Sequence, residues 1–223
     1  MNAPVVPSKS DGAWRGFLPV SGTASVAWKP ERKTGEGKLF FTTAARVNVG
    51  VGAGLLRQTS EIDYKILQGE LETLKLNLEG PGEVLAVEWD NVMGWKVNLA
   101  DRARVLEVQL SQPIESAASL QIRSQLALGA FPVRGTPLRV QPEGAIRHSG
   151  HVRVYNIGAT RLEVAGVSGL TQLSPEQFPA EGSPKGALLV FVYRFPAGAH
   201  AYEIAASRVE KELKVSMVVV YKI

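Results

Sequence analysis

The chain has no cysteine among its 223 residues. Disulfide staples and thiolate metal centres are therefore excluded, and stability must come from an apolar core, which a chain of this length can bury unaided. Freedom from cysteine suits a cytosolic protein and equally a bacterial envelope protein that folds without bridges. No uninterrupted apolar run approaches the length of a membrane span, so no transmembrane segment is expected. Long runs of one charge are missing too. With 25 basic residues against 21 acidic ones, the formal net charge is only +4, and a balance this mild does not call for nucleic acid or a membrane surface as partner.

Catalytic signatures are also missing. There is no G-x-S-x-G elbow, and no S-x-x-K with a supporting motif. The glycines of "GVGAG" (50–54) are spaced G-x-G-x-G and lack the strand-to-helix context that gives phosphate loops their anion-binding amides. They read as a bulge or hairpin instead. Histidine is scarce: His148, His151 and His200 are the only three. A zinc or iron site needs three or four ligands in one geometry. His148 and His151 are three apart, which in a strand sends them to opposite faces. They are weak metal candidates and read as two solvent-facing loop histidines. No cofactor is expected.

What the chain does contain is alternation. "SEIDYKIL" puts Ile62, Tyr64 and Ile66 on one face and Glu61, Asp63 and Lys65 on the other, the pattern of a half-buried strand. "LQGELETLKLNLEGPGEVLAVEW" offers both a helical stripe (Leu67, Leu71, Leu74, Leu78) and a strand face (Leu74, Leu76, Leu78). The strand reading needs no helix through Gly69, so it is preferred, with room for one helical turn at 68–72. The Gly80–Gly82 turn then returns the chain as a hairpin through Leu85, Val87 and Trp89. "HVRVYNIGATRLEVAG" likewise reads as a hairpin turning at 156–159, and "GALLVFVYRF" as a central strand covered on both faces. "YEIAASRVEKEL" is the one other place for a short helix.

A dozen or so short strands without recurring helices predict an all-β chain built as an antiparallel β-sandwich. "GAFPVRGTP" (129–137) is the candidate internal boundary. It divides a lead-in at 1–12, a first half at 13–131 and a second at 132–223, with a single domain over 13–223 as the alternative. "KELKVSMVVVYKI" stops inside an alternating apolar run, which reads as a piece cut from a longer protein.

Three surfaces are candidates for function. Trp14 and Trp28 have polar flanks and could stack sugar rings, whereas Trp89 and Trp95 alternate with aliphatic residues and read as core. From 130 to 161, Arg134, Arg139, Arg147, Arg153 and Arg161 face a single acid, Glu143. Such a segment could meet an anionic partner, or its arginines could pair with glutamates elsewhere. Glu88 and Asp90 flank Trp89 and would be the pair for a glycosidase-like enzyme. The reading that follows is a non-catalytic β-sandwich module of a larger envelope or surface protein, located outside the cytoplasm and acting in assembly or protein–protein contact. A carbohydrate-binding module is the alternative, and a hydrolase comes third.

Overall fold

In a computed structural model the chain divides into two compact units, Met1–Gly35 and Glu36–Ile223. The structure describes residues 8–10, 13–15, 38–100, 103–180, 184–197 and 199–209. In the first unit, β1 (Ser8–Ser10) and β2 (Ala13–Arg15) pair antiparallel.

The second unit is all-β and sandwich-like, with several sheets packed on one another. In chain order its strands are β3 (Phe40–Gly52), β4 (Leu55–Gln68), β5 (Leu71–Glu79), β6 (Glu83–Glu88), β7 (Val92–Ala100), β8 (Ala103–Ile114), β9 (Ala117–Ala127), β10 (Val133–Gly135), β11 (Arg139–Pro142), β12 (Arg147–Asn156), β13 (Thr160–Ser168), β14 (Thr171–Leu173), β15 (Val190–Phe195) and β16 (Ala201–Arg208). A single 3-10 turn, Pro175–Gln177, is the one helical element among the described residues.

These strands form a seven-stranded sheet (β14-β15-β12-β3-β4-β9-β6), a four-stranded sheet (β11-β5-β8-β7) and a three-stranded sheet (β10-β16-β13). Period-two burial builds each of them. In β4, Leu56, Ile62, Tyr64 and Ile66 point inward while Arg57 and Lys65 are exposed. In β5, Leu74, Leu76 and Leu78 are buried, which settles the ambiguous segment as a strand. No helical turn forms at 68–72, because Gly69 takes a positive φ of 80° between β4 and β5. Residues 201–208 are likewise strand, and the rest of that expected helix lies outside the described residues. The glycine-rich stretch after Val49 is a hairpin: β3 and β4 pair over their whole length about the turn at Gly54, φ +77°.

Two expected hairpins do not form. β5 and β6 follow one another but lie in different sheets, β5 against β8 and β11 and β6 against β9. The turn between them is packed from both sides. Arg104 donates to the carbonyls of Gly80 (3.0 Å) and Gly82 (2.5 Å), and a Cβ on Gly82 would stand 2.9 Å from Leu138. The second is β12–β13. β12 instead runs parallel to β3 and antiparallel to β15, while β13 pairs with β16. Asn156 makes the change of sheet possible: its amide donates to the carbonyls of Gly158 and Thr160, and its Oδ1 accepts from the amides of Leu188 and Leu189. Strands on either side of residue 131 share sheets, since β11 pairs with β5 and β12 with β3.

Candidate functional site

The inward face of the seven-stranded sheet carries an unusual set of polar side chains. Thr43 on β3, Gln58 and Ser60 on β4, Ser124 on β9 and His148 on β12 are all buried. Of these, Ser60 and His148 border a partly open cavity of about 200 Å³, whose wall also includes Glu79, Arg139, Phe195 and His200. Several of these polar groups are tied to neighbouring strands, while Gln58 Oε1 and Arg139 Nε are buried without a hydrogen-bond partner. His148 Nδ1 and Thr43 Oγ1 share a hydrogen bond of 2.8 Å. Gln58 Nε2 donates to Ser60 Oγ at 3.0 Å and to the Leu138 carbonyl at 2.7 Å. Arg139 pairs with Glu79 and donates through Nη1 to the His200 carbonyl at 2.6 Å. The Phe195 ring stacks on His200 with centroids 4.3 Å apart and meets His148 in a tilted contact at 5.3 Å, so that the three rings form a stack bent at His148. Burial, aided by the neighbouring His200, lowers the His148 pKa from 6.5 to about 4, so the ring is neutral at pH 7.

Gly150 lets this stack assemble. A Cβ there would collide with the Ala45 carbonyl and stand 2.8 Å from the Phe195 ring. The Thr43–His148 bond and the Arg139 contacts thus serve the scaffold at the cavity wall. Ser60, its hydroxyl of interest, is bonded to a carboxamide, which cannot act as a base.

His148 and His151 do occupy opposite faces, but neither is a loop residue. Both lie in β12; His148 is buried, and His151 is half-buried beside Arg194 on the other face. The reading of two solvent-facing histidines is therefore corrected. Among the described residues, no group of three or more His, Asp or Glu is placed to hold a metal ion.

Arg134 and Arg161 share a recess of the three-stranded sheet with Glu163, whereas the other arginines lie elsewhere. Arg139 reaches the cavity. Arg134 pairs with Glu203 at 3.4 Å and Arg161 with Glu163 at 3.5 Å, both pairs exposed. Arg153 donates to Asn48 Oδ1 at 2.7 Å and lies 4.2 Å over the Phe178 ring. Arg147 is exposed at the start of β12. Trp28 lies outside the described residues, and of Trp14 only the backbone, in β2, is described. Glu88 pairs with Arg123, whereas Asp90 lines a shallow recess beside Trp89.

The feature that pattern reading missed is at the edge of the four-stranded sheet. Trp95, expected in the core, is 37% exposed; on the same face of β7, Val97 is 41% and Leu99 76% exposed. Directly across the ladder their partners are Val108, Leu106 and Arg104. Val108 and Leu106 are fully buried. The apolar face that β5 and β8 bury therefore continues onto β7, where nothing among the described residues covers it. The opposite face is polar, with Lys96 bonded to Glu107 (3.1 Å) and Asn98 donating to the same carboxylate (3.0 Å). The alternation of Trp95, Val97 and Leu99 is what a buried strand shows as well. Only the position of β7 at the sheet edge distinguishes the two.

No protein-family model matches the chain, and no curated protein matches it. Among solved structures it is similar to an M1 zinc metallopeptidase from Deinococcus radiodurans at 14% identity and a TM-score of 0.40, over 75% of this chain and 42% of that one. A two-domain M1 zinc metallopeptidase bound to tryptophan gives 13% identity, a TM-score of 0.42 and the same coverage. Native yeast LTA4 hydrolase gives 11% identity and a TM-score of 0.46, over 75% of this chain and 29% of that one. The chain thus spans less than half the length of each. No helix among the described residues is long and apolar enough to cross a membrane.

Proposed function

We propose that the chain is a non-catalytic β-sandwich module of a larger bacterial envelope or surface protein, and that it makes protein–protein contact through the β7 edge of its four-stranded sheet. The observation that carries this reading is the exposed row Trp95–Val97–Leu99. Soluble proteins normally blunt a sheet edge with charges, proline or a covering segment. Here one face of the edge strand is apolar along its length, and such patches mark interaction sites. The bonds that tie Thr43 to His148, Gln58 to Ser60 and the Leu138 carbonyl, and Arg139 to Glu79 and the His200 carbonyl support the non-catalytic part, since they hold strands together.

Site-specific photo-crosslinking in the cells of origin tests it. A photoreactive residue at Leu99 is expected to form adducts with protein, and one at Lys75, on the opposite polar face, far fewer. Equal yields at the two positions would overturn the reading.

A further inference from the structure

The β7 edge is self-complementary, and we infer that its partner is a second copy of this chain: two β7 strands pair antiparallel about a two-fold axis at Val97, joining two four-stranded sheets into one. This inference rests on the reading of β7 as a contact edge and names its partner.

Three observations lead to it. The first is the open edge. β7 is hydrogen-bonded to β8 on one side, and among the described residues no strand lies on the other. Its unpaired backbone groups can be satisfied by another strand. The second is register. A two-fold axis makes the contact isologous, so each residue meets a partner reflected through the centre. Registers that set an odd-numbered residue against an even-numbered one place the apolar row of one copy beside the polar face of the other. Centring on Lys96 opposes two like charges. Centring on Asn98 carries Trp95 past the end of the partner strand, and centring on Trp95 does the same to Leu99. Centring on Val97 sets Val97 against its own copy and Trp95 against Leu99 on the apolar face. On the polar face Lys96 meets Asn98 rather than a second lysine.

The third is size. The exposed row offers on the order of 300 Å² of apolar surface per copy, comparable to functional patches on other proteins. Together with the strand backbone this places the contact at the small end of specific interfaces, as for a weak, reversible dimer.

The absence of cysteine supplies a clean test. Across the axis the two Val97 Cα atoms would lie about 4.5–5.5 Å apart, within disulfide range. The two Leu99 Cα atoms would be separated by roughly 14 Å, which is beyond it. Under mild oxidation, purified V97C is expected to form covalent dimers and L99C is not, although Leu99 is the more exposed position. Sedimentation equilibrium of the unmodified chain is expected to show a concentration-dependent monomer–dimer equilibrium. In V97K, which keeps the same circular dichroism spectrum, the dissociation constant is expected to rise at least about tenfold, because two lysines then face each other at the axis. Equal crosslinking of V97C and L99C, or a monomer at every concentration, would overturn the inference. If the purified chain stays monomeric while position 99 crosslinks in cells to a protein of another mass, self-pairing fails and the contact reading survives. If neither association occurs, both fail.

Discussion

His148 illustrates how a single side chain couples this fold to pH. Its neutral ring is buried against Thr43 and Phe195, and its pKa is lowered to about 4. In the unfolded chain the same ring titrates near the ordinary value of about 6.5. Between these values the unfolded state binds more protons, so stability declines as pH falls from about 6.5 to 4 and is fully retained above that window. The loss attributable to this residue is up to about 3 kcal/mol. Urea unfolding at pH 7 and pH 4.5 should show a smaller difference in His148→Leu than in the parent chain. An equal difference would assign the pH dependence to other groups. Gly150 tests the neighbouring packing. Gly150→Ala pushes a methyl group into the Ala45 carbonyl, which cannot move without disturbing the β3–β12 ladder. A destabilisation of about 1–3 kcal/mol is expected in equilibrium unfolding, although alanine is otherwise the better residue in a strand. Neither role was visible in the bare sequence. His148 was legible as inward or outward only by parity, and nothing in the chain announces that Phe195 will lie across Gly150.

At the scale of elements, alternation was a sound guide to where strands run and a poor guide to which strands meet. Ile62, Tyr64 and Ile66 are buried as their phase implied. The strand expected over 186–195 is shorter, Val190–Phe195: Tyr193 and Phe195 are buried on one face and Val192 on the other, while Arg194 is exposed and Leu188, 81% exposed, lies before the strand. Pairing was misread wherever a short turn joined two strands of different sheets. Gly-Pro-Gly at 80–82 and the Asn156–Gly158 bend are as compact as hairpin turns. What distinguishes them is a clamp from far along the chain: Arg104 on one, and the Leu188 and Leu189 amides on the other. Local sequence carries no trace of such contacts. The same limit applies to β7, whose residues have the pattern of a core strand at a position the core does not reach. The contrast yields a stability prediction. Ile62→Ala, at a fully buried site, should cost about 2–5 kcal/mol. Leu99→Ser should change stability by less than about 0.5 kcal/mol. A large loss for Leu99→Ser in denaturant unfolding would mean that β7 is covered after all.

For the molecule as a whole, the arginine-rich segment is dispersed over several sheets, with Arg134 and Arg161 sharing one recess. Arg139 lies in the cavity wall, Arg134 and Arg161 form exposed pairs, Arg153 is held by Asn48 and Phe178, and Arg147 is exposed at the start of β12. Without a common concentrated face, attraction to a polyanion should be weak and easily screened. The chain is expected to elute from a heparin column at or below physiological ionic strength. Retention well above it would restore a basic binding face. The charge count was legible in the sequence; its dispersal over different sheets was not, because it follows from strand pairings that no local pattern specifies.

The parallel pairing of β12 with β3 also bears on how the polypeptide comes together. β3 lies inside the seven-stranded sheet, yet one of its flanks is completed only by residues about 105 positions further on. Until the ribosome has released that stretch, the β3–β4 ribbon presents an unsatisfied apolar margin to anything nearby. Such non-local closure makes acquisition of the native state slow. It also marks the interval before residue 156 emerges as the time when the nascent chain most needs a chaperone.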